Sequence, residues 1–114
     1  MLFAEKTAAK KRIDFRNSLA TGKLLMMPGA HSPIVARIVE EMGFDGIYIS
    51  GAALSSELAM PDIGLTTLSE VTQRGRQIAR VTDLPAIIDA DTGFAGAKAS
   101  RRFYVQLVRW LISI

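Results

Sequence analysis

Two carboxylates separated by one residue, with a glycine close behind, form the part of this sequence best suited to chemistry. Asp89 and Asp91 follow an apolar run at residues 84–88 that has the composition of a strand, and Gly93 comes next but one. Because side chains alternate faces along a strand, both carboxylates are predicted to point the same way. Like charges so placed repel unless a cation or a proton lies between them. Mg2+ suits such a pair, since it takes one or two carboxylates and fills its shell with water and substrate oxygens. The alternative is a pair of turn or helix-capping aspartates.

The composition limits the classes of protein that remain. A chain of 114 residues with 49% hydrophobic content is about one small domain with a modest core. The absence of cysteine excludes disulfides, zinc–thiolate sites and thiol catalysis within the chain. No apolar run approaches the roughly 20 residues that span a bilayer, so we expect no membrane partner.

The net charge of +3 is unevenly distributed along the chain. Residues 1–23 carry six basic and two acidic groups (+4), residues 24–94 four and nine (−5), and residues 95–114 four and none (+4). The basic ends have neither an aromatic platform nor a nucleic-acid-binding motif, so we expect no nucleic-acid partner.

Strand and helix patterns alternate along the chain. Strands are predicted at residues 23–27, 46–50 and 84–88, and helices at residues 4–20, from Ser32-Pro33 to about Met42, and from the capping box Thr67–Glu70 to about Val81. Residues 52–65 form a long, rather apolar connection of the kind that often serves as a substrate loop. This order predicts an α/β fold with right-handed βαβ units and a parallel sheet.

The second predicted strand has two different faces. Tyr48 and Ser50 share one face, and Ile47 and Ile49 share the other, which suits a layer of helices. Ligands of such sheets gather at the carboxyl ends of the strands, where Ser50 and the Asp89 motif both lie. We therefore expect these polar groups to meet at one edge.

Three ordered motifs resemble a known superfamily. Residues 48–52 (YISGA), 60–67 (MPDIGLTT) and 89–94 (DADTGF) are similar to the isocitrate lyase/phosphoenolpyruvate mutase superfamily, and within it most closely to the 2-methylisocitrate lyases. The resemblance runs from about residue 10 to Phe94. It implies a (β/α)8 barrel with Mg2+ at the carboxyl ends of the strands.

The resemblance also implies roles for individual residues. Asp89 and Asp91 are expected to hold Mg2+, directly or through water, and Asp62 to belong to the active-site loop. Ser50 with the two residues that follow it, Gly51 and Ala52, is expected to bind the α-keto-acid end of the substrate. Tyr48 lines the same pocket or, equally, packs inside the barrel.

The implied reaction is the cleavage of 2-methylisocitrate, a small tricarboxylate, into pyruvate and succinate. Mg2+ suits this carbon–carbon lyase chemistry, because it stabilises the charge that develops on the departing enolate, and Ser50 with nearby backbone amides would add hydrogen bonds. The resemblance further implies a cytoplasmic enzyme of the methylcitrate cycle in propionate catabolism, whose parent is a homo-oligomer.

The resemblance ends at Phe94. The fourth-strand carboxylate and the cysteine-bearing loop that supplies the general acid are both missing, so no catalytic residue is expected in this chain. We therefore expect residues 1–94 to form the N-terminal part of an incomplete barrel that is inactive alone. Residues 95–114 would be a non-matching tail from a frameshifted or truncated reading frame. Its apolar residues nevertheless fall at helical spacing: Phe103, Tyr104, Leu107, Val108, Leu111 and Ile114.

Two other functions fit the same residues. One is the phosphonate branch of the superfamily, its mutases and hydrolases. The other is a non-catalytic fragment that only associates with other chains, because an open parallel sheet leaves edge backbone groups unpaired.

Overall fold

Helices alternate with short parallel strands in the computed structural model, which describes residues 3–91, 93 and 94. The elements are α1 (Ala8–Ala20), α2 (Pro33–Glu41), β1 (Ile47–Ile49), α3 (Gly51–Glu57), α4 (Leu68–Ala79) and β2 (Ala86–Ile88). The strands pair in parallel, with Ile47 opposite Ala86 and Ile49 opposite Ile88. This confirms the predicted α/β class. Within the described residues, no helix has both the length and the apolar character needed to cross a membrane.

Two helices begin where their sequence signals predicted. The Ser32 side chain accepts a hydrogen bond from the backbone N–H of Val35, with Pro33 at the first helical position of α2. At the start of α4, the N–H of Thr67 donates to Glu70 Oε2 (2.7 Å) and the N–H of Glu70 donates to Thr67 Oγ1 (3.2 Å). This reciprocal pair is a capping box, formed by residues three apart in sequence and therefore readable from the sequence.

The helix predicted at residues 4–20 begins four residues late. Thr7 caps α1 by accepting a hydrogen bond from the N–H of Lys10 (3.2 Å). The preceding residues run instead along the end of α4, where the N–H of Ala4 donates to the carbonyl of Arg80 (2.8 Å). A tertiary contact therefore takes the place of the first predicted turn.

The buried strand predicted at residues 23–27 is wrong. This segment has no strand structure, and Leu24 is 84% exposed. Parallel pairing with β1 begins only later, as an isolated bridge between Gly29 and Tyr48. Instead of the predicted three-stranded sheet, the described residues form a two-stranded sheet with one additional bridge.

Asp45 gives the physical reason for the missing strand. Its carboxylate accepts hydrogen bonds from the N–H of Met26 (2.9 Å) and from Lys23 Nζ (2.8 Å), and its own N–H donates to the carbonyl of Met26 (3.1 Å). Both backbone groups of Met26 are therefore used by one residue, so they do not join a β-ladder. The pKa of Asp45 is held below its usual value by these hydrogen bonds, first that from Lys23.

The connection predicted at residues 52–65 contains an unpredicted helix. α3 starts at Gly51, and two of its residues, Leu54 and Ser55, are buried. The Ser55 hydroxyl donates to the carbonyl of Gly51 (3.1 Å). Only the remainder, from Leu58 to Thr67, connects α3 to α4 without regular structure.

The core lies between the two strands and the helices that cover them. Its fully buried members include Ile47, Ile49 and Ile78. Among the described residues, the charged residue Lys11 is also buried. Its ammonium group donates to the carbonyls of Ala79 (3.0 Å) and Thr82 at the end of α4.

Candidate active site at the carboxyl ends of the strands

β1 separates a buried face from an open one. Ile47 and Ile49 are fully buried, whereas Tyr48 between them is 37% exposed. The backbone of Tyr48 is paired with the segment before it, donating to Pro28 (2.9 Å) and accepting from Ala30 (2.8 Å). The structure thus confirms the predicted alternation and places the Tyr48 ring on the open face of the sheet.

Ser50 connects β1 directly to α3. As the N-cap residue, its hydroxyl oxygen accepts a hydrogen bond from the N–H of Ala53 (3.3 Å), and its carbonyl accepts from the N–H of Leu54 (3.1 Å). A hydroxyl that accepts in this way still has its own proton to donate. Gly51, the first helical residue, is buried and Ala52 is exposed. The chain therefore turns from strand to helix at the predicted substrate-binding residues.

Asp89 lies against the first residue of α3. Its N–H continues the parallel pairing beyond β2 by donating to the carbonyl of Ile49 (3.0 Å). A Cβ atom built on Gly51 would lie 3.3 Å from Asp89 Oδ2 and 3.5 Å from Asp89 Cγ. The structure therefore brings together two motifs that are 38 residues apart in sequence, as the edge rule for parallel sheets predicted.

The two aspartates are joined by a turn and not by a strand. β2 ends at Ile88, and the N–H of Asp91 donates to Asp89 Oδ1 (2.9 Å). Asp91 itself has a φ of 46°, a left-handed conformation that aspartate tolerates better than most residues. The strand alternation from which we predicted a shared face does not extend to these residues, so that argument is wrong.

The charges around Asp91 are nevertheless concentrated. Partial burial, the negative charge of Asp89 and then that of Asp62 raise the pKa of Asp91 above its usual value. Asp62 is exposed, and within the described residues no hydrogen bond joins it to the other two carboxylates. The long connection between α3 and α4 therefore brings a third acidic residue near the site.

The donor set fits a hard divalent cation held largely by water. Among the described residues, no group of three or more histidine, cysteine, aspartate or glutamate side chains is placed to hold one ion. Mg2+ does not need such a group, because one or two carboxylates suffice when water and substrate complete its octahedral shell. Asp89 and Asp91 are two carboxylates of the required type whose like charges disfavour each other, and their role as Mg2+ ligands stays a prediction.

One contact that holds the site was missed from the sequence. Arg74 on α4 donates to Glu57 Oε2 from Nη2 (2.8 Å) and from Nε (3.0 Å). This ion pair ties the last residue of α3 to α4. No local pattern signals it, because α3 was not predicted.

Parallel strands joined by crossover helices, with polar groups at the carboxyl ends of the strands, define an α/β scaffold of the kind that binds ligands at this edge. Residues 15–111 match the family model of phosphoenolpyruvate phosphomutase, and the chain belongs to this family.

Individual relatives point to the same superfamily. The chain is 50% identical over 107 residues to a protein of Corynebacterium glutamicum named probable 2-methylisocitrate lyase 2, covering 93% of this chain and 35% of that protein. The crystal structure of 2,3-dimethylmalate lyase, a PEP mutase/isocitrate lyase superfamily member, matches with a TM-score of 0.83 at 27% identity, covering 94% of this chain and 38% of that one. Phosphonopyruvate hydrolase, solved in complex with oxalate and Mg++, matches with a TM-score of 0.80 at 34% identity, covering 89% and 36%.

The coverage confirms that the fold is an incomplete (β/α)8 barrel. The chain spans about a third of the length of the proteins it matches. The family match also continues past Phe94, to residue 111, so residue 94 is not a boundary of that match. The structure of residues 95–114 lies outside the described part, and the predicted domain division at residue 94 stays a prediction.

Proposed function

We propose that this chain is the N-terminal part of a Mg2+-dependent carbon–carbon lyase that cleaves 2-methylisocitrate into pyruvate and succinate. The observation that carries the proposal is the approach of the Asp89 carboxylate to Gly51, which joins the acidic motif to the predicted substrate-binding residues. The 50% identity to a probable 2-methylisocitrate lyase supports this substrate.

Asp89 and Asp91 are the proposed metal-holding residues. Bound Mg2+ would act as a Lewis acid that stabilises negative charge on a substrate oxygen. Asp89 Oδ1 is already engaged by the N–H of Asp91, so Oδ2, the atom nearest Gly51, is the oxygen left to face the site. Because Gly51 has no side chain, this oxygen remains accessible beside the start of α3.

The residues after β1 are proposed to bind the α-keto acid. Ser50 can donate its hydroxyl proton to a substrate oxygen while it accepts from Ala53. The first N–H groups of a helix lack intrahelical acceptors, so those of Gly51 and Ala52 are suited to a carboxylate. Tyr48, on the open face of β1, would form a wall of the pocket, and Asp62 on the long connection would close over it.

The remaining groups of the reaction lie outside this chain in our proposal. The general acid and the far wall of the barrel would come from the part of the parent protein that this chain does not span. We further propose that the parent is a cytoplasmic homo-oligomer of the methylcitrate cycle, in keeping with the superfamily resemblance.

A chimera provides the test. Residues 1–94 would replace the matching part of the Corynebacterium protein, and pyruvate release from 2-methylisocitrate and Mg2+ would be followed with a coupled assay. The proposal predicts activity within about tenfold of the native protein, and its loss in the Asp89→Ala chimera. A folded chimera that leaves 2-methylisocitrate intact, beside an active native control, would refute the proposed substrate.

The phosphonate branch is the second candidate. It is favoured by the structural match to phosphonopyruvate hydrolase at 34% identity. The same chimera separates the two candidates when it is assayed with phosphonopyruvate, because release of inorganic phosphate would assign the N-terminal part to this branch.

A further inference from the structure

The single histidine of the chain, His31, directly follows the segment that pairs with β1. This segment runs parallel to β1 and is joined to it by the bridge between Gly29 and Tyr48. The N–H of Ala30 donates to the carbonyl of Tyr48 (2.8 Å), and His31 is the next residue of the chain. His31 therefore lies at the carboxyl end of the segment, which is the edge of the sheet that carries the candidate site.

The register of the segments places His31 in one row with two residues of that site. Tyr48 lies opposite Gly29 on one side and opposite Ile87 on the other. Two residues further along each segment, the equivalent row consists of His31, Ser50 and Asp89. Neighbouring strands are about 4.8 Å apart, so the backbone of Ser50 is expected about 5 Å from each of the other two. We call these three residues the polar row.

Burial indicates that the polar row belongs to the open face of the sheet. The row before it is buried and consists of Ala30, Ile49 and Ile88. Side chains of extended segments alternate between faces, and the backbone is still extended at Ser32, with φ −145° and ψ 160°. In agreement with this alternation, Tyr48 and His31 are both exposed.

The three side chains of the polar row differ in what they can offer a ligand. The Ser50 hydroxyl keeps a proton to donate while it accepts from Ala53, and Asp89 Oδ1 accepts from Asp91. Within the described part of the chain, the imidazole of His31 forms no hydrogen bond or ion pair. An imidazole has at least one N–H to donate in either protonation state. The row thus presents two donors beside one carboxylate.

We propose that His31 is a substrate-binding residue of the candidate active site, whose imidazole donates a hydrogen bond to a second carboxylate of the substrate. The inference rests on the proposed function, in which Asp89 holds Mg2+ and Ser50 binds the α-keto-acid end. A tricarboxylate held at these two positions has further carboxylates, and His31 stands only one strand spacing, about 5 Å, beyond Ser50. His31 would therefore favour a substrate with several carboxylates over a simple α-keto acid.

Proton NMR of the imidazole provides the first test, because the only histidine of the chain gives signals that need no further assignment. With the full-length chain in excess Mg2+ at a fixed pH, 2-methylisocitrate should shift these signals and also the backbone amides of Ser50 and Gly51. Pyruvate, which has no second carboxylate, should shift the two amides only. An imidazole that pyruvate and 2-methylisocitrate move equally would overturn the assignment.

The same spectra distinguish a failure of this inference from a failure of the proposed function. If 2-methylisocitrate shifts the amides of Ser50 and Gly51 and leaves the imidazole unmoved, the role of His31 is refuted and the proposed function stands. If none of these signals moves with 2-methylisocitrate, the proposed substrate is refuted, and the role of His31 with it.

Substitutions of His31 measure the size of the effect. His31→Phe keeps an aromatic ring but has no donor, so the affinity for 2-methylisocitrate should fall about tenfold, as expected for one hydrogen bond to a charged group. His31→Asn keeps an N–H donor and should stay within about threefold of the wild type. Asn17→Phe, which adds the same ring at an exposed position of α1, should change nothing. Mg2+ affinity should be equal in all these proteins, and a His31→Phe chain that binds 2-methylisocitrate as the wild type does would contradict the proposal.

Discussion

Gly51 sets the distance between the acidic motif and α3. Asp89 Oδ2 lies 3.3 Å from the place where a Cβ would stand, which is tighter than an ordinary contact but not a clash. An added methyl group would therefore displace the carboxylate by a few tenths of an ångström. A side chain at position 51 would therefore disturb the proposed metal site by moving the Asp89 carboxylate.

The Gly51→Ala variant should separate metal binding from stability. Alanine is favoured over glycine inside helices by about 0.5–1 kcal/mol, so the free energy of unfolding should hardly fall. Mg2+ affinity should fall about tenfold, which corresponds to about 1.4 kcal/mol. Urea unfolding and Mg2+ titration of the same sample measure the two effects.

Gly43→Ala is the matched control. Gly43 has a φ of 80° and open space around a built Cβ, so the substitution introduces backbone strain only. It should cost about 1 kcal/mol of stability and leave Mg2+ affinity unchanged. The opposite pattern, with Gly43→Ala weakening Mg2+ binding more than Gly51→Ala, would disprove the role of Gly51.

At the scale of elements, Lys11 fastens α1 to the end of α4. Helix C-termini leave carbonyl groups without partners, and a cation there is favourable. The buried ammonium group meets this need by donating to Ala79 and Thr82. Burial lowers the pKa of Lys11 from 10.5, and the charges of Asp83 and then Glu40 oppose this change.

Replacing Lys11 should destabilise the protein in a pH-dependent way. Lys11→Met keeps the apolar stem but loses the hydrogen bonds of a charged donor, so we expect a loss of about 1.5–3 kcal/mol. The pKa of Lys11 is lower in the folded state than in the unfolded chain, so the unfolded chain binds more protons at pH values between that lowered pKa and 10.5. The free energy of unfolding of the wild type therefore increases as the pH rises through this range. Urea unfolding over this alkaline range should show the wild type gaining relative to Lys11→Met. A difference that shrinks with rising pH would contradict the assignment.

The elements that could be predicted are those fixed by neighbouring residues. Ser32 and the Thr67–Glu70 pair define helix starts within three residues, so their caps were visible in the sequence. The misplaced strand depends on Asp45 binding Met26, 19 residues away, and the burial of Lys11 on bonds to residues 68 and 71 positions later. Such partners are chosen by the tertiary fold and have no local signal.

The candidate site likewise combines features that could be predicted from the sequence with features that could not. The edge rule for parallel sheets predicted that the Ser50 and Asp89 motifs meet, because it depends only on strand direction. The turn at Asp91 was only the alternative to the predicted strand, and the helix that begins at Gly51 was not predicted, since each depends on a single backbone conformation after a strand end. The proximity of Asp62 likewise follows from the path of a long connection.

At the scale of the whole molecule, the origin of residues 95–114 is a question about the gene. A shifted frame predicts that a neighbouring frame from codon 95 encodes a fourth-strand carboxylate and a cysteine-bearing loop. The family match to residue 111 favours the present frame instead. Genomic sequence across codon 95 tests this, and stop codons or unrelated sequence in both alternative frames would end the frameshift hypothesis.

The 114-residue chain alone should not release pyruvate from 2-methylisocitrate. Groups that act together lose nearly all their effect when one is removed, and an incomplete barrel neither orients the substrate nor excludes water. A coupled pyruvate assay with the purified chain and Mg2+ checks this against Asp89→Ala. Release above background that disappears in the variant would show that the fragment is a working enzyme.

Binding of Mg2+ to the chain tests the central claim most directly. We expect one weak site, with affinity poorer than micromolar because two carboxylates hold the ion. In calorimetry and amide NMR, the shifts should centre on Gly51, Asp89 and Asp91 and should vanish in both Asp89→Asn and Asp91→Asn. Asp14→Asn, which changes a half-buried, ion-paired acid on α1, should leave them intact. Sub-micromolar binding, or Mg2+-induced shifts that survive both site substitutions, would contradict the account.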